Sequence, residues 1–388
     1  MHPLLEKIRR MDWLLSACIL ALVAMGTVFI WSAGSARTSA ALQGIWCVHA
    51  VTAAFGLALY FACALVDYRK LLGALATPGY ALSLALLVAV LLFGAKVYGG
   101  RRWLWFFQPS ELAKLAVILF AAHLFGRAGR ESFRWFLAAL LVLGAPALLI
   151  LAEPDLGTAL VLVPAVVAML LAARVWTKGL VTLLLAGLIG AGAVLGTVFL
   201  AEQTPDPERR ARIYARLPLR DHQLKRLRVF LFPDRDLRGA GYNLRQAQIS
   251  IGSGSVWGKG LKKGSQKTLG YLPPSVSMND FIFAVLAEEA GFRGTLAMLA
   301  LFLGVLLSGA RIALRATDDA GRLVAVGVTT LVFCHLYINV AMSIGLMPIT
   351  GLPLPFISAG RTFLVVLLAA LGVVQSVAVH RAEAPAEG

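Results

Sequence analysis

Ten apolar runs recur along this 388-residue chain, and they decide its environment before any motif is read. They cover about 13–33, 45–65, 71–94, 109–126, 134–151, 156–173, 177–201, 281–310, 323–346 and 360–380. A helix of roughly 20 apolar residues spans the hydrocarbon of a bilayer. The residues are 59% hydrophobic and 14% charged, more apolar sequence than a soluble core needs. The expected fold class is therefore all-α: a polytopic membrane protein of about ten transmembrane helices, forming one domain over 1–388. Runs 134–151 and 156–173 are separated only by Ala152-Glu153-Pro154-Asp155 and predict a tight helical hairpin. The first run, Trp13 to Ala33, follows Lys7, Arg9 and Arg10 as a signal core would. It is too long for one and more spans follow at once, so it reads as an uncleaved first helix.

Charge sets the orientation. With the N-terminus in the cytoplasm, the short inside segments hold fourteen Lys/Arg, from Lys7 to Arg381, and the short outside segments only Arg37, Lys96, Arg101, Arg102 and Arg361. The positive-inside rule then predicts both termini in the cytoplasm. The stretch 202–279 becomes one large extracytoplasmic loop between the seventh and eighth helices. Its fifteen Lys/Arg and six Asp/Glu do not upset the orientation, because long loops are exempt. The half from Arg209 to Phe232 mixes basic and apolar residues as an interface-lying segment does. The other half is rich in glycine. Its run Ile251 to Gly260, with Lys259, Lys262 and Lys263, is a candidate for a phosphate cradle. The formal charge of +16 reads as topology and lipid contact, and no nucleic-acid or zinc signature is present. The four cysteines, Cys18, Cys47, Cys63 and Cys334, lie in apolar runs and read as small buried residues.

Ionised groups in a bilayer are costly, roughly 2.5 kcal/mol or more each, so the few in or beside the apolar runs are the candidates for chemistry. Asp280 follows Pro273-Pro274 and opens the run 281–310. It is either an N-cap or a base or cation ligand at the outer mouth of the bundle, kept ionised by the helix dipole. Glu288 and Glu289 follow roughly 12–14 Å deeper, and Arg293, four residues after Glu289, has ion-pair spacing. Internal pairing is the favoured reading for them. Pro109 begins a helix on which Glu111 and Lys114 are i,i+3 neighbours, either a structural pair or one that also tunes a nearby carboxylate. Asp155 is a candidate cap of the sixth helix. Arg101 and Arg102 precede Trp103 and Trp105, as snorkelling arginines in an aromatic belt or as a clamp for a lipid phosphate. His335 and Asn339, i,i+4, predict a helix–helix hydrogen bond. Lys96, Ser358 and Arg361 complete the set of substrate-binding or supporting candidates.

Six stretches occur together and in order: Arg102-Trp103, Gln108 to Lys114, Glu153 to Thr158, Ile249 to Gly254 with Gly258 and Gly260, Asp280 to Val285 with Ala287 to Glu289, and Gly351 to Ser358. Jointly they resemble the SEDS family (shape, elongation, division and sporulation), across nearly the whole chain. Pro348 to Pro353 looks more like the RodA branch than the division branch, FtsW, whereas the Glu before Pro154-Asp155 is more FtsW-like. The resemblance places the family's essential aspartate at Asp280, its ion pair at Glu111 and Lys114, and its hairpin aspartate at Asp155. Two departures stand out. The usual Glu-x-His-Thr-Asp becomes Pro274 to Asp280, two residues longer, and Ser-Tyr-Gly-Gly-Ser becomes Ser358-Ala-Gly-Arg-Thr362.

The resemblance implies a multi-pass protein of the bacterial plasma membrane. It implies a peptidoglycan glycosyltransferase that polymerises lipid II during cell elongation. The donor is a glycan on undecaprenyl pyrophosphate and the acceptor the GlcNAc 4-hydroxyl of lipid II. Asp280 is then general base or ligand of a divalent cation (Mg or Mn), with Lys114, Arg102 and the basic loop as candidates to meet the leaving pyrophosphate. The implied partners are a class B penicillin-binding protein and other membrane proteins of the elongation machinery. The competing classes are a lipid II flippase, a division polymerase and a recruiting scaffold. A transporter often shows repeats or broken helices, and neither is evident in the sequence.

Overall fold

A computed structural model describes residues 3–35, 40–97, 100–104, 107–126, 133–153, 155–217, 219–236 and 239–381. Within these, seventeen helices follow in order. They are α1 (Pro3–Arg9), α2 (Trp13–Ser35), α3 (Ala40–Gln43), α4 (Ile45–Leu65), α5 (Tyr68–Phe93), α6 (Pro109–Phe125), α7 (Phe133–Ala152), α8 (Leu156–Ala172), α9 (Thr177–Gln203), α10 (Pro207–Ala215), α11 (Asp221–Leu231), α12 (Ala240–Ser253), α13 (Ser265–Thr268), α14 (Pro274–Ser277), α15 (Ile282–Leu314), α16 (Asp319–Ser343) and α17 (Arg361–His380). Two short strands, β1 (Ala95–Val97) and β2 (Gly100–Trp103), pair antiparallel between α5 and α6, a hairpin the all-α expectation lacked. Arg37, Trp105, Arg127 and Arg130 lie outside the described residues, as do the side chains of Lys96 and Arg101.

All ten apolar runs form helices. Eight are long and apolar enough to cross a membrane, while α6 and α8, at 17 residues each, are shorter. The protein is a multi-pass membrane protein built from α-helices. The core sits where α17 packs on α4, α16 on α6 and α8, and α15 on α2 and α16. Of the eight long helices, α17 is the most enclosed, with 78% of its apolar stretch buried, and α9 the least, at 6%. Helix α9 is therefore apolar on nearly all faces yet barely covered, as a lipid-facing helix is. The cysteines are free thiols. Cys18 and Cys334 are buried as expected, but Cys47 is exposed.

The stretch 202–279 is largely helical. Its basic first half folds into α10 and α11, held to α9 by one carboxylate: Glu202 is approached by the guanidiniums of Arg210, Arg228 and Arg235 and by the Tyr214 hydroxyl. Its glycine-rich half is not an open loop. Helix α12 packs along α15, and residues 255–260 hydrogen-bond into a break in α15. The break is at Gly291, whose φ of 66° and ψ of −167° are closed to side-chain-bearing residues. Backbone groups freed there are satisfied from the loop: Lys259 N–H donates to Glu288 O (2.9 Å), Gly260 N–H to Glu289 O (3.0 Å) and Phe292 N–H to Ser255 O (2.9 Å). A Cβ on Gly291 would stand 2.2 Å from Gly258 N. Gly291→Ala should therefore cost roughly 1–3 kcal/mol in backbone strain alone, with the clash on top. A midpoint of thermal unfolding in detergent equal to the wild type would refute this.

The break also corrects two expectations. The sequence showed no broken helix, yet α15 is one. Arg293 does not pair with Glu289, because Gly291 turns the chain between them, and its guanidinium lies 4.1 Å over the Trp257 ring. Both glutamates are instead paired with the loop. Glu288 accepts from Lys259 Nζ (2.6 Å), Ser265 Oγ (2.9 Å) and Ser250 Oγ (2.9 Å), while Glu289 is paired with Lys267 and accepts from Ser32 Oγ (2.6 Å). Lys259 is thus committed to a carboxylate. Lys262 lies 3.5 Å over the Trp31 ring, so two of the three lysines of the suggested phosphate cradle are engaged within the protein.

Candidate active site

Asp280 stands in the turn between α14 and α15, just before the first buried turn of α15. Its backbone is fixed from two sides. Asn339 Nδ2, from α16, donates both to Asp280 O (2.9 Å) and to Leu352 O (2.8 Å). Ser358 Oγ donates to Asn279 O (2.7 Å) and accepts from Leu354 N–H (2.8 Å), and Ala359 N–H donates to Met278 O (3.1 Å). Both departures from the family pattern, 274–279 and 358–362, therefore meet each other at the aspartate. Ser358 supports the loop through backbone contacts, and Arg361 is exposed at the first turn of α17. The Asp280 carboxylate faces Gly351, where a Cβ would stand 3.7 Å from Oδ2.

The charged neighbour of Asp280 is Arg226, from α11. Burial pushes the carboxyl up to about 6, and Arg226 acts against that shift. Arg226 Nη1 donates to Thr350 O (3.0 Å), and its guanidinium also lies within electrostatic reach of Arg102 and Asp155. Basic groups are concentrated here. His222 is held below its ordinary pKa by burial and by Arg226, Arg102 and Arg220. Arg226 was one of fifteen basic residues in its loop, and nothing in the sequence set it apart from the other fourteen.

Asp155 caps α8: it accepts from Thr158 N–H (3.3 Å) and Thr158 Oγ1 (2.8 Å). It also accepts from Gln108 Nε2 (3.2 Å), tying the start of α6 to the α7–α8 hairpin. Beside it Glu153 is wholly buried, and neither carboxyl oxygen has a hydrogen-bond partner among the described residues. Burial, reinforced by Asp155 and opposed by Arg102, pushes its pKa up to about 8, so it is a neutral acid at pH 7.

Glu111 and Lys114 form an ion pair of 2.8 Å with exposures of only 4% and 1%. Lys114 Nζ also donates to His335 Nε2 (3.0 Å) and lies 5.0 Å over the Phe363 ring. With Nε2 accepting, the His335 proton is on Nδ1, which faces Pro353 O at 3.4 Å. His335 and Asn339 thus connect the buried pair to the 351–358 loop and the Asp280 backbone. The sequence predicted their pairing across helices but not that Asn339 bonds loop carbonyls. Arg102, Asp155 and Asp280 are gathered around Arg226. The Glu111 carboxylate lies within electrostatic reach of Asp155, and Lys96 stands on β1.

The family model described as cell cycle protein, for FtsW, RodA and SpoVE, matches residues 12–383. The chain belongs to that family. Among its relatives is the peptidoglycan glycosyltransferase MrdB of Escherichia coli, 36% identical over 372 residues, which span 94% of this chain and 92% of that one. A solved chain from a peptidoglycan synthase complex, described as coordinating polymerization and crosslinking, superposes with a TM-score of 0.75 at 28% identity, covering 96% of this chain and 99% of that one. The rod shape determining protein RodA of Thermus thermophilus gives a TM-score of 0.64 at 27% identity, covering 96% and 97%. The SEDS resemblance and the RodA-like fold read from six short stretches are both borne out by these matches.

Proposed function

We infer that this SEDS protein is a peptidoglycan glycosyltransferase that polymerises lipid II for cell elongation. We place it in the bacterial plasma membrane, with the Asp280 site toward the outer face. The observation that carries the mechanism is a half-buried carboxylate facing the Arg226 guanidinium, in a cationic setting, with its pKa pushed up by burial to about 6. The ionised form of such a group is a stronger base than an ordinary carboxylate and accepts a proton readily from a hydroxyl in the transition state. Asp280 removes the proton from the GlcNAc 4-hydroxyl of the acceptor. The oxygen then bonds to the anomeric carbon of the donor glycan, the bond from that carbon to undecaprenyl pyrophosphate breaks, and its electron pair leaves with the pyrophosphate. The proton passes from Asp280 to solvent. The developing phosphate charge is met by Arg226 and Arg102. Lys114 is committed to Glu111 and His335, and Glu153, being neutral, does not cancel the positive field.

The described side chains do not by themselves form a cage for a divalent cation (Mg or Mn). Among the described residues no group of three or more His, Cys, Asp or Glu side chains converges to hold one. The charge facing Asp280 is already a guanidinium, so no step is routed through a metal. The partner we propose is a class B penicillin-binding protein, in line with the polymerization and crosslinking described for the synthase complex.

The test is glycan-strand synthesis from lipid II by purified protein in detergent, with and without that partner. Detergent leaves no two sides to flip between, so strands refute the flippase reading and their absence with an active partner refutes ours. In the same assay the rate should fall as pH drops through about 6, as Asp280 becomes protonated, and level off above pH 7. A flat profile from pH 5 to 8 would remove Asp280 as the base.

A further inference from the structure

At the far end of α15 from Asp280 lies an open cavity of about 300 Å³, assembled where α2 begins and α15 and α17 end. Arg10, Arg311, Arg315 and Arg381 line it, with Asp12 and Trp13. Its charges do not cancel. Arg10 is paired with Glu6, and Arg311 lies 3.5 Å from Asp12. Asp12 is also occupied in capping, accepting from Leu15 N–H (3.0 Å) and from Ser308 Oγ (3.3 Å). Arg315 and Arg381 have no acidic partner among the described residues, and both are exposed. The rim is apolar and exposed: Trp13 at 52% and Leu14 at 45%.

We propose that this cavity binds the phosphate headgroup of an anionic membrane phospholipid, with Arg315 and Arg381 as its principal ligands. The chemistry follows from three features that arise separately. Topology alone requires basic residues at these helix ends, but not a concavity that collects arginines from α15, the end of α17 and the α1–α2 junction. Guanidiniums bind phosphate oxygens in a forked geometry, and two of them without carboxylate partners leave that capacity open. An exposed tryptophan beside them is a side chain suited to the depth of headgroups, so the cavity opens at the level where a lipid phosphate lies. A soluble phosphate would use the arginines but have no use for the apolar rim; a phospholipid uses both.

The experiment uses the full chain in nanodiscs of phosphatidylcholine alone or with a minor fraction of phosphatidylglycerol. It reads the lipids retained after extraction by native mass spectrometry, and the thermal midpoint. The wild type should keep phosphatidylglycerol over phosphatidylcholine and melt later when it is present. Arg315→Gln with Arg381→Gln should lower phosphatidylglycerol retention about tenfold or more. The lysine double variant, Arg315→Lys with Arg381→Lys, keeps the charge but loses the fork and should lower retention about threefold, whereas Arg322→Gln, which disrupts a pair with Asp319 outside the cavity, should not change it. An unchanged midpoint in pure phosphatidylcholine shows that the glutamine variant is folded; if it does not fold, the lysine variant and Arg322→Gln carry the comparison. Equal retention by wild type and the glutamine variant overturns the proposal, as does equal loss in Arg322→Gln. Protection by glycerol 3-phosphate equal to that by phosphatidylglycerol overturns the lipid as the source of the phosphate.

Discussion

Asp280→Asn should lower lipid II polymerisation by roughly a hundred- to ten-thousandfold, the range that a positioned general base contributes. The amide is nearly isosteric with the carboxylate, and the contacts that hold this turn are to backbone: Asn339 to Asp280 O, Ser358 to Asn279 O and Ala359 N–H to Met278 O. The variant should therefore fold. Its stability carries a second signature. The folded-state pKa of Asp280 is raised by burial, so the folded protein holds that proton more tightly than the unfolded chain does. The stabilisation from this group is complete below the unfolded pKa, near 3.8, and is lost as pH rises through about 6. Above pH 7 the ionised carboxylate is a standing cost, and Asn removes it. Asp280→Asn should thus be less active but no less stable than the wild type at pH 8, and the difference in thermal midpoint should shrink toward pH 5. Wild-type polymerisation by the purified variant would sink the assignment of Asp280. A variant destabilised at every pH would mean that the carboxylate is structural.

How much of this was legible in the sequence depends on the range of the interaction. The ten helices were, because a bilayer forces every backbone group to pair within its own segment and hydropathy then reports length directly. The run 45–65 matches α4 residue for residue, and the others differ by a few residues at their ends. The Glu111–Lys114 pair was legible for the same reason, being local to one turn. What failed was contact across long stretches of chain. Glu289 lies four residues before Arg293, and local spacing predicted that pair; but Gly291 breaks the helix, and Glu289 goes to Lys267 and Ser32 instead. The signal was a glycine inside an apolar helix, compatible with either a break or simple close packing. Arg226 could not be chosen among its neighbours, because its position is set by where α11 folds back over the bundle. Glu153 appeared only as a variant letter in a motif, while its burial beside Arg102 comes from the hairpin docking on α6.

Lys114→Met should be the most destabilising single change at the site, by roughly 3–5 kcal/mol, since it leaves the buried Glu111 carboxylate without its cation. The measurement is the thermal or denaturant midpoint in a fixed detergent, and a shift near zero would show that the pair is dispensable to the fold. The informative step is the double variant. Glu111→Leu with Lys114→Met replaces both charges by apolar groups of similar size, and such replacements of buried pairs are often neutral or stabilising. The double variant should recover most of the lost stability. Activity should not recover with it. Without Lys114, His335 Nε2 has no donor, and nothing then fixes the tautomer that presents Nδ1–H to Pro353 O. That carbonyl belongs to the loop whose neighbouring residue, Leu352, shares Asn339 with Asp280. A loosened loop misplaces the base rather than altering it. The loss should therefore fall on the rate at saturating lipid II, by about tenfold or more, with the pH midpoint near 6 unchanged. Full recovery of activity together with stability would reduce the pair to a scaffold. A shifted pH midpoint would show instead that the pair sets the burial or the field that Asp280 feels, the two causes of its raised pKa.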